Sequence, residues 1–352
     1  MSRVASGAAS LALAVALPLL LFGWVEGCSS TWIAVRAALD RNEGPALRRH
    51  DDRLGWVSLP SLAQQDLWGP GRHLHTNERG FRGRLPVSDT VPGGRVRVVC
   101  SGDSFAFGEG VGDEQTFCHA LTRLDPRVEA VNLGQPGYGV DQAYLRYRGL
   151  PDGFEHQVHL FTFIGPDLSR AGSDDFHGFA KPVFTLDGDA LALRGVPVPE
   201  RGPALRRAAG AFLGDLRVTE FVHRARKKLF GRPPREGDAI FERLGPMLDR
   251  LFQEVAREGQ RRGARTLFVY LPLRSEVEAD GRWRAWVRES FEGSGLPFLD
   301  LTAALRAEPA ETAHGYFIPE GAAAAGHYSP RGNAWAGREI HAALDEAPVR
   351  SN

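Results

Sequence analysis

The sequence predicts an α/β fold in which a mainly parallel β-sheet is wrapped by helices to form three layers. From residue 96 onward, short apolar runs of strand length alternate with longer stretches of helical periodicity. That alternation is typical of parallel strands joined by helical crossovers, with both faces of the sheet covered. The runs are VRVVC (96–100), VEAVNL (128–133), VHLFTFI (158–164), TLFVYL (266–271) and PFLDL (297–301).

Length and composition limit the class of protein. The chain has 352 residues, enough for one large α/β domain with additions. Lys plus Arg (43) equals Asp plus Glu (43), so no global field attracts a polyanion and no nucleic-acid partner is expected. Hydrophobic residues at 43% and charged residues at 24% are ordinary globular values, which argues against a disordered or collagen-like chain.

The amino-terminal segment predicts export. Residues 4–25 carry no charge, and as a helix they would reach about 33 Å, which spans a bilayer. Three interpretations remain open: an uncleaved signal-anchor over residues 1–26, a cleaved secretory signal, or a lipoprotein signal that ends at Cys28. The apolar stretch exceeds the roughly 7 to 15 residues of a signal core, which favours the anchor. Arg3 and the amino terminus are the only positive charges before it, so we expect the amino terminus inside and the bulk outside.

The exported part divides into a lead-in and one main domain. Residues 27–95 predict a juxtamembrane linker and a loop-rich lead-in, because 51–95 are rich in Gly, Pro, Asn and Asp. The main domain spans 96–346, and its stretch 172–236 fits no βα unit and is predicted to be an insertion. This insertion carries a basic amphipathic stretch (224–235), either a solvated helix face or a contact for lipid headgroups or an anionic polymer.

Three cysteines are too few for a disulfide framework. They are Cys28, Cys100 and Cys118. Two alternatives are left for an exported chain: Cys100 and Cys118 form a single disulfide, or both are unpaired and buried.

We expect the catalytic residues to lie where the first predicted strand ends. Ser104 follows that strand and Gly102-Asp103, which places it at the carboxyl edge of the sheet, where open α/β sheets bind ligands. There a serine can expose its Oγ while its backbone N–H faces a developing oxyanion. Serine needs a base to remove its proton, most often a histidine that is distant in sequence. His327 lies in a loop directly before a predicted terminal helix and is the favoured candidate.

Four ordered blocks resemble those of the SGNH (GDSL) hydrolases. They are GDSF (102–105), NLGQPGYG (132–139), FIGPD (163–167) and GHYSPRGN (326–333). DDRLGWVSLP (51–60) and TNERGFRG (76–83) are similar to the segment that precedes this domain in membrane-anchored bacterial members. The resemblance implies the flavodoxin-like SGNH hydrolase fold, an inner-membrane anchor with the domain in the periplasm, and no metal or other cofactor.

The resemblance also implies roles for individual residues. Ser104 would be the nucleophile and His327 the base. The backbone N–H groups of Ser104 and Gly134 would form the oxyanion hole. Asp103 would shape the nucleophile turn, and Asp167 would support the site.

Two of the four blocks depart from the family pattern. Pro166 stands where the family has an asparagine that donates to the oxyanion, and proline has no donor; Asp167 could substitute only if protonated. Ala324 and Ala325 stand where the family has an aspartate that orients the histidine. A backbone carbonyl or another acid would have to replace it, and the candidate acids are Glu320, Asp300 and Asp167.

Other patterns are weaker. His73-x-His75 lacks further clustered ligands, and Gly108-Glu109-Gly110 lacks the remaining glycines of a nucleotide fingerprint. Six aromatic residues either line a carbohydrate groove or fill the core: Trp56, Trp68, Phe81, Tyr138, Tyr144 and Tyr147.

The sequence thus predicts a membrane-anchored, exported serine esterase. It would remove O-acyl groups, O-acetyl included, from an envelope glycan or a small ester through an acyl-serine intermediate. Two alternatives remain: an O-acyltransferase of exopolysaccharide or peptidoglycan, and a catalytically impaired glycan-binding or scaffold protein.

Overall fold

Thirteen strands and nine α-helices occur in residues 47–200 and 236–345, the part of the chain that the computed structural model describes. The strands are β1 (Arg48–Asp51), β2 (Gly55–Ser58), β3 (Ala63–Gln64), β4 (Leu74–His75), β5 (Val96–Ser101), β6 (Val128–Asn132), β7 (Val158–Phe163), β8 (Asp175–Phe176), β9 (Phe179–Ala180), β10 (Val183–Asp187), β11 (Ala190–Arg194), β12 (Arg265–Tyr270) and β13 (Phe298–Asp300). The helices are α1 (Ser104–Phe107), α2 (Phe117–Leu124), α3 (Val140–Arg148), α4 (Gly165–Arg170), α5 (Glu236–Arg261), α6 (Arg284–Ser294), α7 (Thr302–Ala307), α8 (Ala310–Gly315) and α9 (Pro330–Asp345).

The central sheet has the order β6-β5-β7-β12-β13, and every neighbouring pair is parallel. All five predicted strands are confirmed, each within one or two residues of its predicted bounds. This order is the flavodoxin-like one, in which the chain reverses its direction across the sheet beside the first strand. Ligands bind at that reversal point in open α/β sheets, so the residues after β5 occupy the favoured place.

The predicted α/β class is confirmed, with helices on both faces of the parallel sheet. On one face, Val98 and Leu160 pack in one core with Phe117 of α2 and Trp335 of α9. On the other face, Phe161, Phe163 and Phe268 pack in a second core. That core includes residues of α5 and α6, such as Leu248, Leu251, Phe252, Val287 and Phe291. Alternate residues of β5 and β7 thus face opposite helix layers, as the two-residue period of a strand requires.

The lead-in from residue 47 packs against the loop that follows β6. Trp56 is buried, and its Nε1 donates to the carbonyl of Pro136 at 3.0 Å. Gln135 Oε1 accepts from the backbone N–H of Ser58 at 2.8 Å. Five of the six aromatic residues considered for a carbohydrate groove are buried, so the core interpretation holds for them: Trp56, Phe81, Tyr138, Tyr144 and Tyr147.

Part of the predicted insertion forms two β-hairpins, β8 with β9 and β10 with β11. The basic stretch 224–235 lies outside the described residues, as do the predicted anchor over residues 1–26 and Cys28. Within the two described ranges, no helix has the length and apolar character needed to cross a bilayer.

A disulfide links Cys100 and Cys118. Of the two alternatives left by the sequence, the structure therefore shows the disulfide. Cys100 belongs to β5 and Cys118 to α2, so the bridge fastens a helix to the strand that leads into Ser104.

Candidate active site

A sharp turn after β5 presents Ser104. A Cβ added at Gly102 would come within 2.5 Å of Thr162 Oγ1 and 2.8 Å of Ala106 Cβ, so only glycine fits there. Asp103 caps the helix that follows, because its Oδ1 accepts from the backbone N–H of Phe105 at 2.8 Å. The structure therefore places Asp103 where the sequence predicted it, at the turn before Ser104.

The structure brings Ser104 and His327 together across 223 positions of sequence, with Ser104 Oγ 2.8 Å from His327 Nε2. His327 Nδ1 lies 3.0 Å from the backbone carbonyl of Ala324. A carbonyl only accepts, so we assign the proton to Nδ1, which leaves the Nε2 lone pair to face the serine hydroxyl. This is the arrangement that a general base requires.

The loop that carries His327 is fixed at its base. The N–H of Ile318 donates to the carbonyl of His327 at 2.8 Å, and the N–H of Gly326 donates back to Ile318 at 2.9 Å. The imidazole packs on Phe105, with ring centroids 4.9 Å apart. Ala324 has a φ of +61°, a left-handed conformation that aims its carbonyl at the imidazole.

The three acids considered as partners of His327 all bind elsewhere. Glu320 is exposed and lies 3.4 Å from Arg274 Nη1. Asp300 accepts from Arg284 Nε at 2.9 Å. Asp167 lies against Arg170. The other possibility left open by the sequence, a backbone carbonyl, is the one that the geometry supports, because Ala324 supplies it.

A buried acid pair lies directly behind the nucleophile. Asp103 and Asp167 are each 1% exposed. Arg170 Nη1 donates to Asp167 Oδ1 at 2.5 Å and lies 3.5 Å from Asp103 Oδ2. Burial, and after it the negative charge of Asp103, raise the pKa of the Asp167 carboxyl well above its usual range. The guanidinium of Arg170, which contacts both acids, balances the negative charge of this pair.

The predicted oxyanion hole is only partly supported. The N–H of Gly134 donates to Asn132 Oδ1 at 2.8 Å, so the geometry gives no support to Gly134 as an oxyanion donor. Gly134 serves a packing purpose instead, because a Cβ there would come within 2.2 Å of the backbone nitrogen of Phe107. Pro166 lies in the first turn of α4 and brings no donor. Of the predicted donors, the N–H of Ser104 remains, at the start of α1.

Sequence reasoning missed Arg170 and Glu109. Arg170 gave no signal, because a basic residue in the last turn of a short helix is common. Glu109 Oε2 lies 3.8 Å from His327 Nε2. Its signal was the Gly108-Glu109-Gly110 run, which we considered only as a nucleotide motif.

His73 and His75 take part in the packing of the lead-in. His75 Nδ1 lies 2.6 Å from Asp113 Oδ2, and the same carboxylate accepts from Arg82 Nε at 2.7 Å. His73 Nδ1 accepts from the backbone N–H of Asp66 at 3.2 Å. These contacts give both histidines a structural explanation.

The fold and the site together define an α/β protein with a serine–histidine pair at the carboxyl edge of its sheet. No protein-family model matches the chain, and no curated protein matches it. Among solved structures it is similar to an acetyl xylan esterase, with 12% identity over 71% of this chain and 100% of that one, at a TM-score of 0.40.

Two further solved structures are similar at the same level. A lipase/acylhydrolase from Enterococcus faecalis is 13% identical over 73% of this chain and 100% of that one, at a TM-score of 0.39. A member of the lipolytic G-D-S-L family from Veillonella parvula is 11% identical over 73% of this chain and 100% of that one, at a TM-score of 0.36.

Proposed function

We propose that this protein is an exported serine esterase of the SGNH type, anchored in the bacterial inner membrane, that removes O-acyl groups in the periplasm. The observation that carries the proposal is the 2.8 Å contact between Ser104 Oγ and His327 Nε2, with Nδ1 held by the carbonyl of Ala324. A serine without an adjacent base is a poor nucleophile, and this contact supplies the base.

The reaction proceeds in two steps. His327 Nε2 accepts the Ser104 proton while Oγ attacks the ester carbonyl, and the N–H of Ser104 donates to the resulting oxyanion. The imidazolium then protonates the departing alcohol, which leaves an acyl-Ser104 ester. In the second step, water attacks this ester, gives its proton to Nε2, and the acid leaves as the proton returns to Oγ. Ala324 replaces an aspartate here, and its carbonyl fixes the tautomer without adding a charge.

The Cys100–Cys118 disulfide supports the location, because disulfides persist in oxidising compartments such as the periplasm. The uncharged stretch 4–25 supports the anchor. The O-acyl or O-acetyl ester of an envelope glycan is the proposed substrate class, with small esters as the simplest members.

A second function is favoured by one observation. Pro166 has no donor and the N–H of Gly134 is engaged, so this site offers fewer oxyanion donors than the family pattern implies. The loss of one donor costs about 10² to 10³ in rate, which predicts a slow esterase. A glycan-binding or scaffold protein with no useful turnover is the alternative.

A fluorophosphonate probe separates these functions without knowledge of the substrate. The full chain in detergent is expected to gain one adduct by intact mass, and the adduct is expected to vanish in Ser104→Ala and His327→Ala. Ser88→Ala, which changes an exposed serine of the lead-in, should be labelled like the wild type. Failure of the wild type to react from pH 6 to 9 would refute the esterase and favour the scaffold.

A further inference from the structure

The Gly108-Glu109-Gly110 turn packs between the nucleophile and the histidine loop. The backbone N–H of Glu109 donates to the carbonyl of Ser104 at 3.0 Å. Gly108 and Gly110 have φ values of +78° and +89°. A Cβ added at Gly110 would come within 2.4 Å of Ile318 Cδ1 and 2.8 Å of Ala324 Cβ. The two glycines therefore let the chain turn tightly enough to hold Glu109 beside His327.

The carboxylate of Glu109 lies on the reacting side of the imidazole. Its Oε2 is 3.8 Å from His327 Nε2, the nitrogen that contacts Ser104 Oγ, whereas Nδ1 is bound to Ala324. The side chain of Glu109 is 34% exposed and that of His327 is 22% exposed, so solvent reaches both. Among the described residues, this is the one ion pair that Glu109 makes. Its oxygens therefore have acceptor capacity left for a molecule beside Nε2.

We propose that Glu109 accepts a hydrogen bond from the water that attacks acyl-Ser104, and so makes the site favour hydrolysis over transfer to a simple alcohol. The proposal rests on the esterase function above. Glu109 acts here as a positioning residue, since it orients the nucleophile and takes no proton from it.

The selectivity follows from a count of protons. Water has two: one passes to His327 Nε2 as the oxygen attacks the acyl carbon, and the other stays on that oxygen and points at Glu109. The bond from the acyl carbon to Ser104 Oγ then breaks, and Nε2 returns its proton to Oγ. A monohydric alcohol has a single hydroxyl proton, which must go to Nε2, so Glu109 is left without a donor. A vicinal diol can satisfy Glu109 with its second hydroxyl, so diols should be better acceptors than methanol.

The test separates acylation from deacylation in the full-length protein. The substrate is p-nitrophenyl acetate, with methanol or ethylene glycol as the competing acceptor. The burst of p-nitrophenol reports acylation and the steady rate reports deacylation. Proton NMR gives the ratio of transferred ester to acetate. Glu109→Ala removes the acceptor, Glu109→Gln keeps a neutral one, and Glu320→Gln is the control, since it removes a negative charge from the histidine loop away from Nε2.

For Glu109→Ala we expect deacylation to fall 10- to 100-fold and acylation to change by less than threefold. The ratio of methyl acetate to acetate should rise at least fivefold, and the preference for ethylene glycol over methanol should disappear. Glu109→Gln should fall between Glu109→Ala and the wild type, and Glu320→Gln should match the wild type. An equal loss in both steps, or an unchanged product ratio, overturns the proposal while the esterase stands. A wild type that neither shows a burst nor reacts with a fluorophosphonate overturns both.

Discussion

The two halves of the candidate site are held in place by different forces. Behind Ser104, the two buried acids Asp103 and Asp167 are bound by the guanidinium of Arg170, which fixes the turn with charge-assisted bonds. His327, in contrast, is oriented by one neutral carbonyl. Charged groups removed from water must be balanced, whereas a backbone carbonyl adds no charge to balance.

Because of this difference, changes in the two halves of the site should affect the stability of the protein to different degrees. Loss of the cation behind Ser104 should cost folding free energy first, because it leaves a buried charge unpaired. Changes in the loop that carries His327 should alter stability little. The four changes below test that contrast, ordered from the largest expected effect on stability to the smallest.

Arg170→Ala should lower the free energy of unfolding by about 4 kcal/mol, because it leaves two buried acids without their cation, and the loss of one partner of a buried ion pair costs about 3 to 5 kcal/mol. Arg170 is the cation of the acid pair, and its Nη1 also donates to the carbonyl of Tyr138 at 3.2 Å. Urea denaturation measures the effect. Arg257→Ala removes an arginine that is 51% exposed and paired with Glu254, and should cost less than about 0.5 kcal/mol. Equal losses in the two variants would contradict the contrast.

Replacing Cys100 and Cys118 together with alanine should cost about 3 kcal/mol, the value expected for a bridge that closes a loop of this length. The two residues are 18 apart in sequence, and the bridge fastens α2 to the strand before Ser104. Urea denaturation of the wild type with dithiothreitol should show the same loss, and the double variant should not respond to dithiothreitol. A double variant as stable as the oxidised wild type would refute a structural role for the bridge.

The parts of the molecule that could be predicted are those encoded by local patterns. The five core strands are continuous apolar runs, and their order along the chain restricts the topology to a few possibilities. Ser104 and His327 were found because each lies in a short block next to a strand or helix end. The meeting of these two residues at 2.8 Å follows from the fold class, which gathers such ends at one edge.

The remaining features depend on contacts that no local pattern encodes. The third partner of His327 is a main-chain carbonyl, which every residue has, so the sequence could not single out Ala324. Gly134 was expected to donate to an oxyanion, but the side chain of Asn132, two residues earlier, accepts its N–H. That competition depends on one side-chain rotamer. Arg170 faces Asp103 only because α4 and the turn after β5 are adjacent in space.

Asp167→Asn should make the stability of the protein depend less on pH. The pKa of Asp167 is raised in the folded protein, so above the unfolded value of about 3.9 the folded state holds a proton that the unfolded state has lost. The free energy of unfolding of the wild type therefore falls as pH rises through that interval. Asparagine does not titrate, so the variant should gain stability relative to the wild type as the pH rises from 4 to 8.

Denaturation curves across that pH range measure the effect. Asp152→Asn removes an exposed carboxylate, 87% exposed beside Arg261, and should leave the slope of stability against pH unchanged. A parallel pair of curves for Asp167→Asn and the wild type would show that Asp167 is ionised alike in the folded and unfolded states.

The smallest expected effect lies in the loop that carries His327, where two neighbouring alanines should respond with opposite signs. Ala324 has a φ of +61°, which costs an alanine about 1 to 2 kcal/mol relative to glycine. Glycine also loses more backbone freedom on folding, by about 0.4 to 1 kcal/mol. Ala324→Gly should therefore stabilise the protein by about 0.5 kcal/mol.

Ala325 does not adopt a positive φ, so Ala325→Gly should carry only the entropic cost and destabilise the protein by a similar amount. Thermal denaturation of the two variants side by side measures the signs. Because the variant retains the backbone carbonyl that binds His327 Nδ1, fluorophosphonate labelling of Ala324→Gly should stay close to that of the wild type. If Ala324→Gly were instead as damaging as Arg170→Ala, the loop would be as important to folding as the acid pair, and the contrast between the two halves of the site would fail.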